Sequence, residues 1–130
     1  MDQLASLHKP TLRILVVEDN DVDFLILYRH LNKLLEFKKL TRASNRAELN
    51  SMLLEDLDLI VADLHLPDIS DLELLNSIAT AQPTVPCLAM SGTIADLNIK
   101  KMPKSVFAMI EKGDFRALEI ALDDCQYCAC

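Results

Sequence analysis

The chain has 130 residues, of which 51% are hydrophobic and 25% charged, and its formal net charge is −7. This composition predicts one globular domain, and the acidic excess excludes nonspecific attraction to nucleic acid or anionic lipid. The two glycines cannot form the glycine-rich phosphate loops of dinucleotide-binding or P-loop enzymes, and the absence of any long apolar run predicts a cytoplasmic protein without a membrane insertion.

Five short runs along the chain predict β-strands. Four of them are nearly unbroken and rich in Val, Ile and Leu, which is typical of strands buried on both faces of a parallel sheet. The remaining run, which is the second in chain order, is more polar, and this favours a place at the edge of the sheet. In chain order, the predicted strands are residues 12–17, 38–43 (the polar run), 57–62, 85–90 and 105–110.

The segments between and after these runs predict five helices, because their apolar residues recur with helical spacing. Asn45, Ser70 and Thr93 each stand three residues before an acidic residue, which is the pattern of a helix N-cap. The alternation predicts an α/β fold with a flavodoxin-like, doubly wound parallel sheet of order 2-1-3-4-5 and helices on both faces. The domain is predicted over residues 11–127, with an N-terminal arm (1–10) and a Cys-containing tail (128–130).

Polar side chains follow four of the predicted strands. Glu18 and Asp19 follow the first strand, Asp63 the third, Ser91 the fourth and Lys112 the fifth. Ligands bind outside the carboxyl ends of such a sheet, at the switch point between strands 1 and 3. Three carboxylates there would repel one another without a cation, and oxygen ligands favour Mg²⁺ over zinc. The same carboxylates disfavour a flavin phosphate.

This set of residues suits phosphoryl transfer to a carboxylate. Asp63 would supply the nucleophilic oxygen, while Ser91 and Lys112 would bind phosphoryl oxygens. The added charge of about −1.5 to −2 would draw the neighbouring loops inward and act as a switch. The alternative is that Glu18 and Asp19 only continue into a helix-start cluster with Asp21 and Asp23.

At this point the chain resembles the response-regulator receiver domain of two-component signalling. The resemblance extends from Leu12 to about Tyr127. It is carried by ILVVEDN (14–20), LIVADLHLPDISDLELL (59–75), LAMSGT (88–93) and IEKGDF (110–115).

The resemblance implies a role for each matching residue. Asp63 would be the phosphoacceptor and, with Asp19, a direct Mg²⁺ ligand. Glu18 would act mainly through bound water, and the backbone carbonyl of His65 would complete the protein ligands. Partners would be a histidine kinase or histidine phosphotransfer protein and a downstream protein, with slow autodephosphorylation in place of conventional turnover.

Three positions depart from the family pattern. Met109 stands where an aromatic switch residue is usual, and Phe107, expected on the same strand face, is a candidate replacement. Gly113 follows Lys112 where a cis proline is usual, so the reach of Lys112 is expected to be less fixed. Asp71 replaces a common glycine, which predicts a left-handed backbone there at some cost.

The sequence therefore predicts a single-domain response regulator that accepts a phosphoryl group on Asp63 and signals through protein contact. The alternative is a receiver-like adaptor that works without phosphorylation. A homodimer is a further hypothesis, in which Lys100, Lys101 and Lys104 face acidic residues of a second copy. The cysteines at 125, 128 and 130 are interpreted as reduced thiols, with a structural metal as the alternative, and Cys87 as a core residue.

Overall fold

A computed structural model describes residues 12–92 and 102–125. The strands are β1 (Arg13–Val17), β2 (Lys39–Ala43), β3 (Leu59–Asp63), β4 (Cys87–Ser91) and β5 (Val106–Glu111). The helices are α1 (Asp21–Leu34), α2 (Arg46–Met52), α3 (Asp71–Ala81) and α4 (Phe115–Asp124). The predicted helix start at Thr93, the N-terminal arm, and the cysteines at 128 and 130 lie outside the described residues.

The five strands form one parallel sheet in the order β2-β1-β3-β4-β5, which confirms the predicted topology. All residues of β3 and β4 are buried, whereas β2 at the edge is largely half-exposed. This difference follows from the sequence, because a central strand is covered on both faces and an edge strand is not. None of the helices in the two described ranges has the length and apolarity of a membrane span.

A separate apolar core lies on each face of the sheet. Successive residues of β1 alternate between them, since strand side chains point to opposite faces: Leu15 and Val17 belong to one core and Ile14 and Val16 to the other. The first core, here the α2/α3 core, includes Leu49, Leu74, Leu75, Ile78 and Cys87. The second, the α1/α4 core, includes Leu27, Leu31, Leu118 and Leu122. Burial raises the pKa of the Cys87 thiol to about 12, as suits a core residue.

Each described helix begins at a side-chain cap. The predicted caps Asn45 and Ser70 are confirmed, and Asn20 and Asp114 cap α1 and α4 in the same way. Each cap accepts a hydrogen bond from the backbone N–H three residues on, which satisfies one of the unpaired donors of the first turn. Helices α1 and α4 consequently begin within a few residues of the strand ends that carry the predicted site.

The prediction that Phe107 shares the strand face of Met109 is wrong. Cys87 is in register with Val106 but Leu88 with Ala108, so Phe107 is an extra residue in a β-bulge. Phe107 therefore packs against the α1/α4 core, while Met109 packs against the α2/α3 core. Because the bulge reverses the alternation between them, Phe107 does not replace the usual aromatic residue.

The backbone at Asp71 also differs from the prediction. Asp71 is the first residue of α3, directly after the cap Ser70, so its conformation is helical and not left-handed. The cap is the physical reason, because it starts the helix at this residue. Gly113, in contrast, has a φ of +91°, a left-handed conformation that proline cannot adopt.

Candidate functional site at the carboxyl edge of the sheet

Three acidic residues meet where β1 and β3 end side by side. Glu18 and Asp19 directly follow β1, and Asp63 is the last residue of the neighbouring β3. One carboxylate oxygen from each lies within 4.8 Å of the others. Glu18 and Asp63 are only 1% exposed, while Asp19 is open to solvent. This combination of buried and accessible oxygens suits a hard divalent cation that retains bound water.

The two carboxylate oxygens of Asp63 differ in their contacts. Oδ2 accepts a hydrogen bond of 2.7 Å from Lys112 Nζ. Oδ1 is buried and has no hydrogen-bond partner within residues 12–92 and 102–125. A buried carboxylate oxygen without a partner is costly. Together with the nearby acids, Oδ1 therefore fits coordination of a cation such as Mg²⁺.

Lys112 is the cation that the protein itself brings to these acids. Its Nζ lies 2.7 Å from Asp63, 3.0 Å from Asp23 and 3.3 Å from Glu18. Burial opposes the charged form, but hydrogen bonds to Asp63 and Asp23 and the negative charges of Asp63 and Glu18 together outweigh burial and raise the pKa of Lys112 above its usual value. Lys112 is therefore a permanent positive charge beside Asp63 at physiological pH.

Glu18 lies in the least solvated part of the site. Burial, which is the largest cause, and the nearby Asp63 together raise its pKa to about 7, against the opposing effects of the Asn20 N–H and Lys112. A bound divalent cation would stabilise the charged form that burial disfavours. The raised pKa thus marks Glu18 as a carboxylate whose environment favours a nearby positive charge.

Arg42 of β2 supports the loop that carries Glu18. Its Nε donates a 2.8 Å hydrogen bond to the Glu18 backbone carbonyl, and its Nη1 pairs with Asp21 at 2.8 Å. The guanidinium also lies 4.9 Å from the ring centre of Phe24. On the other side, Glu18 N–H donates to the Ala43 carbonyl at 3.0 Å. The edge strand therefore holds both backbone groups of Glu18.

Ser91 and His65 occupy different surroundings. Ser91 is the last residue of β4 and is 7% exposed. Its carbonyl accepts a 2.8 Å hydrogen bond from the Lys112 backbone N–H, so the ends of β4 and β5 are joined beside the acids. His65 lies two residues after Asp63 and is exposed. Its backbone carbonyl stays a predicted ligand on sequence grounds.

The sequence prediction missed two acids of this site. Asp23 was one of the acids assigned to the helix start alone, but it pairs with Lys112. Asp71 lies close enough to Asp63 and His65 for both to affect its pKa. Burial raises the pKa of Asp71, His65 lowers it and Asp63 raises it. The usable signal for Asp23 was its position in the first turn of the helix that follows the acidic pair Glu18 and Asp19.

The chain is similar to known proteins in both sequence and structure. A family model described as the response regulator receiver domain matches residues 14–121. No curated protein gives a significant sequence match.

Among solved structures, the chain is 26% identical to a CheY-like receiver domain from Methylobacillus flagellatus, with a TM-score of 0.72 and coverage of 87% of this chain and 97% of that one. A CheY-like receiver domain protein from Methanospirillum hungatei is 20% identical, with a TM-score of 0.72 and coverage of 88% and 92%. A response regulator protein from Burkholderia pseudomallei is 23% identical, with a TM-score of 0.69 and coverage of 89% and 68%; it contains a phosphorylated aspartic acid, a calcium ion and citrate.

Proposed function

Since the chain belongs to the response regulator receiver domain family, we propose that it accepts a phosphoryl group on Asp63 from the phosphohistidine of a kinase or phosphotransfer protein. The observation that carries this proposal is the environment of Asp63. Its buried Oδ1 has no partner in the described part of the chain, and its Oδ2 is held at 2.7 Å by Lys112. A carboxylate fixed in this way is presented to an incoming electrophile.

The reaction balances without a further reactant. A carboxylate oxygen of Asp63 forms a bond to phosphorus while the phosphorus–nitrogen bond of the donor breaks, and the electron pair leaves with the donor imidazole, which departs as the neutral ring because its other nitrogen already carries a proton. Lys112 offsets the negative charge of the phosphoryl oxygens. The hydroxyl of Ser91, at the end of the adjacent strand, would donate a hydrogen bond to one of these oxygens.

The proposed metal is Mg²⁺, because its preference for carboxylate and carbonyl oxygens matches the residues present. Asp19, Asp63 and the backbone carbonyl of His65 would hold it, with Glu18 acting mainly through water. When bound, Mg²⁺ supplies neutralisation of the charge on the transferred phosphoryl group. The phosphorylated aspartic acid and calcium ion of the Burkholderia pseudomallei relative support this assignment.

The phosphorylated protein would signal by binding a downstream protein, until slow hydrolysis resets it. A phosphorylation-independent adaptor is the second candidate. It is favoured by one observation, the position of Phe107: the bulge turns this ring toward the α1/α4 core and leaves Met109 at the usual aromatic position.

The test is the intact mass of the protein after incubation with acetyl phosphate, with and without Mg²⁺. We expect a gain of one phosphoryl group that requires Mg²⁺ and is absent from Asp63→Asn. The variant keeps the size of the side chain, so its folded state is checked by circular dichroism. The adaptor is favoured if the protein binds Mg²⁺ but gains no phosphoryl group from acetyl phosphate or from a panel of phosphorylated histidine phosphotransfer proteins.

A further inference from the structure

Asp23 contacts Lys112 from helix α1, whereas the other acids contact it from the ends of strands. Its Oδ2 lies 3.0 Å from Lys112 Nζ, and the two side chains are 41% and 29% exposed. Asp23 stands in the first turn of α1, whereas Glu18 and Asp63 approach the same Nζ from strand ends. Asp23 also lies outside the group of carboxylates that converge as a candidate metal centre. It is therefore the acid that pairs with Lys112 without belonging to that group.

The backbone that carries Lys112 has a permissive residue next to it. Gly113 has a φ of +91°, and an added Cβ would meet no atom of residues 12–92 and 102–125 within 4 Å. The loop is thus confined neither by a proline ring nor by close packing at this residue. Just beyond it, the ring of Phe115 stacks on His30 of α1, with 3.8 Å between centroids and 7° between planes. Helix α1 consequently contacts this loop on both sides of Gly113.

From these contacts we propose that Asp23 is a positioning residue, which holds the Lys112 ammonium group beside Asp63 and compensates for the freedom that Gly113 allows. Its effect on phosphoryl transfer rests on the function proposed above, whereas the positioning itself does not.

The physical reason is that Asp23 keeps its charge when Asp63 loses its own. Phosphorylation converts the Asp63 carboxylate into an acyl phosphate, so Lys112 must exchange a carboxylate partner for a phosphoryl oxygen. Glu18 would be occupied with the cation, which leaves Asp23 as the acid free to retain Lys112 through the reaction. Fixing a charged group in advance lowers the barrier, because no reorganisation is then needed during transfer.

The first test needs no phosphoryl chemistry. The order parameter of the Lys112 side chain is measured by NMR relaxation at its Cε in the wild type, Asp23→Asn and Asp56→Asn. Asp56 is a matched control, since it is 96% exposed and pairs with Arg13 at the amino edge of the sheet. We expect the order parameter to fall in Asp23→Asn alone. An unchanged value in that variant overturns the proposal.

The second test is a double-mutant cycle on the rate of Asp63 phosphorylation by acetyl phosphate. We expect Asp23→Asn to lower the rate at saturating donor and Mg²⁺ by about three- to tenfold, which is the size of a typical coupling between contacting residues. In a Lys112→Ala background the same substitution should change the rate less than about twofold. Equal losses in both backgrounds, or a faster rate in Asp23→Asn, overturn the role in transfer. If the wild type takes up no phosphoryl group from acetyl phosphate or from the phosphorylated histidine phosphotransfer proteins, the proposed function fails, and the NMR result alone then decides the positioning.

Discussion

At the scale of single residues, the acids of the site are distinguished by their surroundings. Glu18 is buried and held through both backbone groups, Asp63 is buried against Lys112, and Asp19 is exposed. Burial penalises a charged carboxylate and Lys112 offsets this only in part, so the surroundings of Glu18 favour uptake of a proton or of a further cation. Burial of these carboxylates therefore lowers the stability of the folded state, and a bound divalent cation would offset this loss.

This loss of stability predicts a specific pH dependence. The pKa of Glu18 rises from 4.5 to about 7 on folding, so the folded state binds the proton more tightly than the unfolded chain. The stability from this group is fully present below pH 4.5 and is lost as the pH rises through about 7. In metal-free buffer, the wild type should lose on the order of 2 kcal/mol of unfolding free energy between pH 5 and pH 8 relative to Glu18→Gln.

Urea denaturation of both proteins in EDTA measures this difference. Because the other titrating groups are common to the two proteins, the comparison isolates Glu18. Parallel pH profiles would show that burial does not perturb this carboxyl.

At the scale of elements, the loops after the strands position the chemistry. The loop after β1 is held by the edge strand through Arg42 and Ala43, and the loop after β5 contacts α1 through Lys112 and Phe115. A turn with positive φ at Gly113 lets the chain pass from β5 into α4. The helices therefore set the position of the site as well as covering the sheet.

The turn at Gly113 predicts an effect of backbone conformation alone. Gly113→Ala should lower the unfolding free energy by about 1–2 kcal/mol, because an L side chain is disfavoured at a φ of +91°. Within the part of the chain that the structure describes, no atom lies within 4 Å of the added Cβ, so steric overlap there does not contribute.

Gly92→Ala is the matched control, since its Cβ would also meet no atom of the described residues within 4 Å and its φ is not positive. Chemical denaturation of the two variants gives the comparison. A loss in Gly92→Ala as large as that in Gly113→Ala would contradict the backbone explanation.

At the scale of the whole molecule, the site joins segments that are distant in the chain. Lys112 and Asp63 lie 49 residues apart in sequence, yet their side chains touch at 2.7 Å. The contact exists only when β3, β4 and β5 have assembled, since Asp63 ends β3, Lys112 follows β5 and β4 lies between them. A ligand at this edge therefore binds the folded state and not the unfolded chain.

This dependence predicts stabilisation by Mg²⁺. At a concentration one hundred times its dissociation constant, a cation bound only by the folded state adds about 2.7 kcal/mol to the unfolding free energy. The thermal midpoint of the wild type should rise with Mg²⁺ concentration, and Asp19→Asn should respond much less.

Calorimetric scans across a Mg²⁺ series, with Asp56→Asn as the control for a lost exposed carboxylate, provide the measurement. An equal response of Asp19→Asn and wild type would exclude Asp19 as a ligand.

The sequence by itself determined the strands, their order and the edge of the sheet where the polar groups collect. These features follow from local patterns, namely unbroken apolar runs, helical spacing and caps such as Asn45 and Ser70, together with the rule that parallel crossovers are right-handed. Glu18, Asp63 and Lys112 were expected to meet because parallel strands end at one edge, and their side chains do so.

Only the tertiary structure decided the face of Phe107, the support of Glu18 by Arg42 and the pairing of Asp23 with Lys112. A β-bulge is an irregularity in the pairing of two strands, and it carries no periodic signal in either one. The contacts of Arg42 and Asp23 join an edge strand and a helix to loops elsewhere in the chain. Their partners are selected by packing in three dimensions, whereas sequence patterns report the surroundings of each segment separately.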